Sequence, residues 1–396
     1  MPKKLKSLVR KFRRISAFVL SVVIIVGVAI IPIEALPSNE AEQGNMRFNC
    51  RSALLMEAET GKVLFEQNAD EALPPASVTK IMTLLLVMEA IDSGKIGYAD
   101  MVTASAHACS MGGSQIYLKE GEQMSVEDML KSVVIASAND AAVALAEYVL
   151  GTEEAFVARM NERAKELGMS STNFENTNGL DDTATNHLIS ARDIAIMSRE
   201  LLKHEKITEY SSIWMDTIRN GEFGLTNTNR LVRFYKGATG LKTGSTSKAG
   251  FCISATAKRD GVTLICVIMG AESRDIRNAA ATSLLDFGFA NYALFEDAPK
   301  TMEKIKVRGG VEAECEIITK GFSEVINKSN LGKIETVTEL PENLEAPIKK
   351  GDVIGKIIYK INGNYIGESQ ILANESIEKI DFWGVFRSVF IRMSML

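Results

Sequence analysis

Histidine is scarce in this chain: only His107, His187 and His204 occur among 396 residues, and none sits in an HExxH pattern. Without two imidazoles on one helix face, a zinc hydrolase is disfavoured, and no metal or cofactor is expected. The five cysteines (Cys50, Cys109, Cys252, Cys266, Cys315) are odd in number, scattered and free of any CxxC spacing. They define no disulfide framework, so buried free thiols are expected. An excess of positive charge is also missing, with 45 Lys and Arg against 50 Asp and Glu. Affinity for nucleic acid comes mainly from Lys and Arg on phosphates, so a nucleic-acid partner is not expected.

Basic residues are concentrated at the N-terminus. Lys3, Lys4, Lys6, Arg10, Lys11, Arg13 and Arg14 precede an apolar run from Ile15 to Ile33. A charged segment followed by an apolar one is the layout of a secretory signal, and the run is long enough to serve as an uncleaved signal anchor. Residues 1–35 are therefore expected to direct export, leaving a more acidic mature chain.

The hydrophobic content of 46% is ample for a sizeable core. A hairpin is expected over Arg51–Glu57 and Val63–Gln67, and a second over Gly250–Ala257 and Val262–Gly270 around an Asp-Gly turn. Between them, helices are expected from Ser77, from Ser125, over Ala141–Leu150, over Glu153–Leu167 and from Ser190, with a loop-rich stretch at 92–124. A helix over Ile276–Phe289 closes the unit. Strands at both ends of a helical insertion predict an α+β fold: an antiparallel sheet with a helical lobe, over residues 45–298. Short alternating runs then predict a small all-β domain over 300–375. Over 377–396, Ile380, Trp383, Phe386, Val389, Phe390 and Met393 recur at helical spacing among charges. That segment reads as an amphipathic helix on a membrane surface, or as one docked on the β domain.

Three stretches carry the chemistry. In Pro74–Met88, Ser77 and Lys80 are three apart, which on a helix sets them one turn apart on one face. Burial beside the apolar run from Ile81 would lower the lysine pKa and let the neutral amine activate the hydroxyl. Equally, Ser77 could be an N-cap and Lys80 a lysine reaching for water. The same four-residue pattern recurs at Ser245/Lys248 and Ser376/Lys379. The second stretch is Ser137-Ala-Asn139, between two helical runs. The third is Lys242-Thr-Gly244, just before the second hairpin and so expected on an edge strand. Singly they read as a turn or a strand end; in this order they are far more specific.

Over about residues 45–375 the sequence closely resembles the serine penicillin-binding proteins, and among them the low-molecular-mass D-alanyl-D-alanine carboxypeptidases. Further matches are Phe174-Glu-Asn-Thr-Asn-Gly-Leu180, Ser190-Ala-Arg-Asp193, Asn227-Thr-Asn-Arg-Leu231 and Arg277. Departures are Ala138, where glycine is frequent, and Ser245, where a bulkier residue is common. The resemblance implies Ser77 as nucleophile, Lys80 as base and Ser137 as proton relay. It implies that Asn139 holds the substrate amide, that Lys242 supplies positive potential, and that Thr243 and Arg277 bind the terminal carboxylate. Gly244 belongs to the same motif, and backbone N–H groups of Ser77 and Ser245 would form the oxyanion hole. It further implies the D-Ala-D-Ala end of peptidoglycan stem peptides as substrate and β-lactams as inhibitors; the export segment and the C-terminal amphipathic helix together predict a site of action on the outer face of the plasma membrane. A β-lactamase, a DD-endopeptidase, or a penicilloyl-binding sensor or wall protein without turnover are the alternatives.

Overall fold

The computed structural model describes residues 46–181, 184–381, 383–386, 390 and 393. The expected export segment at 1–35 lies outside them, as does part of the expected C-terminal helix. Ser52–Glu57 (β1), buried at every position, and Val63–Gln67 (β2) form an antiparallel hairpin across the turn at residues 58–62. Three long strands complete the sheet: Ala238–Thr246 (β3), Gly250–Arg259 (β4) and Val262–Ala271 (β5), with Asp260 and Gly261 both at positive φ in the β4–β5 turn. The order is β2-β1-β5-β4-β3, antiparallel throughout, so the strands from the two ends of this unit meet at the β1–β5 pair. It also leaves β3, with Lys242-Thr-Gly244, at the sheet edge.

The sheet is covered on both faces, which is why β5 is an almost unbroken apolar run. Arg274–Asn291 (α5) takes one face, where Leu264 lies against Gly288 and Cys266 Sγ against the Ala281 carbonyl. Ile265, Val267 and Met269 on the other face join the core of the helical lobe. Its centre is Lys80–Asp92 (α1), buried from Lys80 to Met88 on every side. Around it lie Asn139–Leu150 (α2), Glu153–Glu166 (α3) and Ala191–Leu201 (α4). Thr152, Ser190 and Ser273 cap α3, α4 and α5, each accepting from the backbone N–H three residues on.

Three local expectations change. The helix expected from Ser77 begins at Lys80, because Ala76–Thr79 forms a tight 3₁₀ turn entered through Ala76 at φ 50°. The stretch from 92 to 125 holds a short antiparallel strand pair, Met101–Thr103 with Gln123–Ser125, and a one-turn helix at Ala106–Cys109 between them. The helix after Ser125 widens into a π turn over Ser132–Ala136 and ends at Ser137, φ 63°.

The C-terminal part is all β. Tyr292–Asp297 (β6) follows α5 directly and pairs with Phe322–Asn327 (β10). A second sheet joins Ile305–Arg308 (β7) to Glu314–Cys315 (β8) and, in parallel, to Asn343–Glu345 (β12). A third has Ile317–Thr319 (β9), Asn364–Ala373 (β14), Val353–Ile361 (β13) and Ile334–Glu339 (β11) in that order. Ile305, Cys315, Ile357, Tyr359 and Ile371 form its core. Ile377 belongs to this core too, bridged to Ile348, so the segment expected to be helical from 377 starts in extended form. Residues 383–386, 390 and 393 are helical, with Trp383, Phe386, Phe390 and Met393 exposed. No helix of the described residues is long and apolar enough to cross a membrane.

Candidate active site

A cleft of about 670 Å³ opens between the helical lobe and the edge strand β3. Ser77, Ser114, Ser137, Thr228, Thr243 and Ser245 line its floor, and Trp214, Arg230, Phe234, Arg274 and Arg277 its far wall. Lys80 and Lys242 are buried immediately behind the floor.

Ser77 sits on the 3₁₀ turn, one residue into it. Lys80 opens α1 and turns its Nζ back to Ser77 Oγ at 2.8 Å, Asn139 Oδ1 at 2.5 Å and the Asn178 carbonyl at 2.7 Å. Fully buried, its amine is held well below its ordinary pKa, first by desolvation and then by the charge of Lys242; Asp140 acts in the opposite direction. A neutral amine suits this shell: two N–H groups serve Asn139 and Asn178, and the lone pair is left for the Ser77 hydroxyl.

Asn139 is fixed from both ends. Its Nδ2 donates to the Gly112 carbonyl at 2.7 Å and its backbone N–H to that of Ser114. Any Cβ on Gly113 would lie 2.8 Å from Asn139 Nδ2. Ser137 faces the cleft from its left-handed position between the π turn and α2. The Asn178-Gly179 turn is equally tight: a Cβ on Gly179, at φ 83°, would lie 1.9 Å from the Ala76 carbonyl oxygen. His187 braces this loop. Its Nδ1 accepts from Glu175 N–H, so the neutral ring carries its proton on Nε2, toward Thr79 Oγ1 at 2.8 Å. Burial pushes His187 down to about 4, as suits a structural imidazole.

Edge strand β3 closes the site. Gly244 lets its backbone approach the serine turn, since a Cβ there would be 2.6 Å from Ser77 N. Lys242 Nζ donates to the Thr243 carbonyl at 3.0 Å, and Thr243 Oγ1 to Thr228 Oγ1 at 2.8 Å. Burial, with Arg277 nearby, lowers Lys242 to about 7. Arg277 is itself lowered to about 10 by burial and by the neighbouring Arg274 and Arg230. Its guanidinium donates to Asn278 Oδ1 at 2.9 Å.

All nine residues singled out in the sequence therefore border this cleft or lie directly behind it. The Asn178 and Gly112 carbonyls, Ser114, Thr228, Trp214, Arg230 and Arg274 escaped notice. Asn178, Thr228 and Arg230 lie in the two asparagine-rich matches, Phe174–Leu180 and Asn227–Leu231, which carried a usable signal. Among the described residues no group of three or more His, Cys, Asp or Glu is placed to hold a metal. All five cysteines are free thiols, Cys252, Cys266 and Cys315 buried and Cys50 and Cys109 half-buried.

A serine hydroxyl in contact with a buried lysine amine, between a helical lobe and an antiparallel sheet, fits a serine peptidase of the penicillin-binding class. The profile of the D-alanyl-D-alanine carboxypeptidase family matches residues 38–273, and that of the penicillin-binding protein 5 C-terminal domain matches 293–379. The chain belongs to the D-alanyl-D-alanine carboxypeptidase family. It is 42% identical over 370 residues to the D-alanyl-D-alanine carboxypeptidase DacF of Bacillus subtilis, covering 90% of this chain and 94% of that protein. Penicillin-binding protein 5 of Haemophilus influenzae superposes with a TM-score of 0.74 at 31% identity, over 84% of this chain and 99% of that one. A penicillin-binding protein of Listeria monocytogenes, solved in its ampicillin-bound form, superposes with a TM-score of 0.58 at 32% identity, over 62% and 100%.

Proposed function

We propose that the chain removes the terminal D-alanine from peptidoglycan stem peptides through an ester on Ser77. The observation that carries this reading is the 2.8 Å approach of the buried Lys80 amine to Ser77 Oγ. Lys80 takes the hydroxyl proton as Ser77 attacks the carbonyl of the penultimate D-alanine. Ser137 relays a proton to the departing amine, and Asn139 holds the substrate amide. The charge of Lys242, together with Thr243 and Arg277, receives the terminal carboxylate. The N–H groups of Ser77 and Ser245 stabilise the oxyanion, commonly the largest single contribution to such catalysis. Gly244 keeps these two backbones close. Water then hydrolyses the ester along the reverse proton path. β-Lactams, which imitate the dipeptide end, acylate the same serine.

The decisive measurement is D-alanine released per protein from an acylated Lys-D-Ala-D-Ala peptide. Many equivalents are expected. Release stopping at one equivalent, with the ester persisting, would mark a penicilloyl sensor instead.

We further infer a division into an export segment (1–35), a catalytic domain (45–298), a β domain (300–375) and a C-terminal membrane-associating segment. The exposed Trp383, Phe386, Phe390 and Met393 support placing the protein on the outer face of the plasma membrane. Because Ile377 is part of the β core, the informative cut follows Asp381. That truncated protein should leave the membrane fraction, once its signal is cleaved, and keep its peptidase rate; continued retention would put the anchor elsewhere.

A further inference from the structure

The far wall of the cleft carries more positive charge than one terminal carboxylate requires. Arg274 stands one helical turn before Arg277 on α5, so both side chains share a face, and both line the cleft. Arg230 reaches the same wall from the segment that follows the strand Phe223–Thr226. Arg230 and Arg274 are exposed, and neither makes a side-chain hydrogen bond or ion pair among the described residues. Elsewhere the chain does pair its guanidinium groups with acids, as at Arg163, Arg192 and Arg219. Here Arg274 and Arg230 lie close enough to add to burial in lowering Arg277, while Cys252 and Asp275 act the other way. Unpaired like charges repel, so an anion bound among them gains more than it would beside a single guanidinium. The cleft, whose lining also includes the short side chains of Thr228 and Ser245, is far larger than one alanine.

We propose that Arg230 and Arg274 form a second anion subsite on the leaving-group side of Ser77, which takes a departing residue bearing a second carboxylate. This rests on the assignment of Ser77 as nucleophile and of Arg277 to the terminal carboxylate. Arg274, one turn nearer the start of α5 than Arg277, then meets the side chain of the departing residue. The chemistry is unchanged. Ser77 Oγ bonds to the carbonyl carbon, the C–N bond breaks, the amine leaves with the proton taken from Ser77, and water cleaves the ester. What widens is the substrate class, from terminal D-alanine to terminal acidic D-amino acids.

Two peptides differing only in the last residue, diacetyl-Lys-D-Ala-D-Ala and diacetyl-Lys-D-Ala-D-Glu, test this on the full chain. The wild type should release D-glutamate with a kcat/KM within about tenfold of that for D-alanine. In the double variant Arg230→Gln/Arg274→Gln, that ratio should fall by a further factor of about ten, mostly through KM, as expected for lost charged hydrogen bonds. Both side chains are exposed, so the thermal unfolding midpoint should barely move. Equal loss for both peptides, or negligible D-glutamate release by a wild type that releases D-alanine, overturns the subsite and leaves the peptidase assignment standing. If the wild type released neither, the peptidase assignment would fail, and protection of Ser77 from labelled penicillin would decide the subsite. Better protection by the D-Glu peptide, lost in the double variant, supports it; equal protection by both peptides overturns it.

Discussion

Three regions of this chain carry a serine followed three residues later by a lysine, and they differ in everything except that spacing. At 77–80 the lysine is fully buried and its amine contacts the hydroxyl. At 245–248 the serine borders the same cleft, but Lys248 is exposed and turns away to the Asp181 carbonyl at 2.8 Å. At 376–379 the pair sits on the β domain, where Ser376 Oγ accepts from Lys350 N–H and Lys379 bridges Gly310 through its backbone. The spacing places two groups near each other only when a helix follows. Reactivity further requires that water be kept from the amine, and α1 does this with apolar side chains on every face.

The largest effect that would sharpen this contrast is loss of the nucleophile. Ser77→Ala should lower peptide hydrolysis by roughly 10⁴- to 10⁶-fold, in the range seen when a catalytic serine is removed. It should also abolish labelling by a fluorescent penicillin, whereas Ser245→Ala and Ser376→Ala should still label. Label mapped by mass spectrometry to either of the other serines would break the comparison. Next comes Lys80→Arg, expected to slow acylation by about 10²- to 10⁴-fold, the usual contribution of a positioned base. Arginine keeps the charge but does not release a proton in this pH range. Lys248→Arg should acylate almost normally, and near-normal acylation by Lys80→Arg would exclude a neutral-amine base.

The smallest effect concerns stability. Lys242 falls from 10.5 to about 7 on folding, chiefly through burial. Between those values the unfolded chain binds more protons, so stability rises with pH across the window, and the destabilisation is fully present below it. The melting temperature should therefore climb from about pH 7 to about pH 9, and less steeply in Lys242→Met, where Lys80 still contributes with the same sign. Parallel curves for the two proteins would contradict the burial argument.

Much of this architecture was legible because it rests on side-chain periodicity and turn chemistry. The hairpins of β1–β2 and β4–β5, the capped α4 and the β-rich C-terminal part all follow from such signals. The strands at 101–103 and 123–125 are too short to show a period, and the two-residue β8 is shorter still. The site was only half legible, for a different reason. Lys80 is satisfied partly by the Asn178 carbonyl and Asn139 by that of Gly112, and every residue type has a carbonyl. Glycines mark such places better than polar residues do: Gly113, Gly179 and Gly244 each stand where a Cβ would strike the groups around Lys80 and Ser77.

Ala76 and Ser137 hold left-handed backbone conformations, at φ 50° and 63°, on either side of the reactive hydroxyl. A side chain in that region costs about 1 kcal/mol, and glycine escapes the steric part of it. For anyone selecting heat-resistant forms of this protein, Ala76 is thus among the easiest positions to relax and among the poorest to choose. The same bend that opposes folding aims the serine; glycine keeps that bend but widens the range of shapes the turn explores, so a library ranked by melting temperature alone would reward a less firmly held serine.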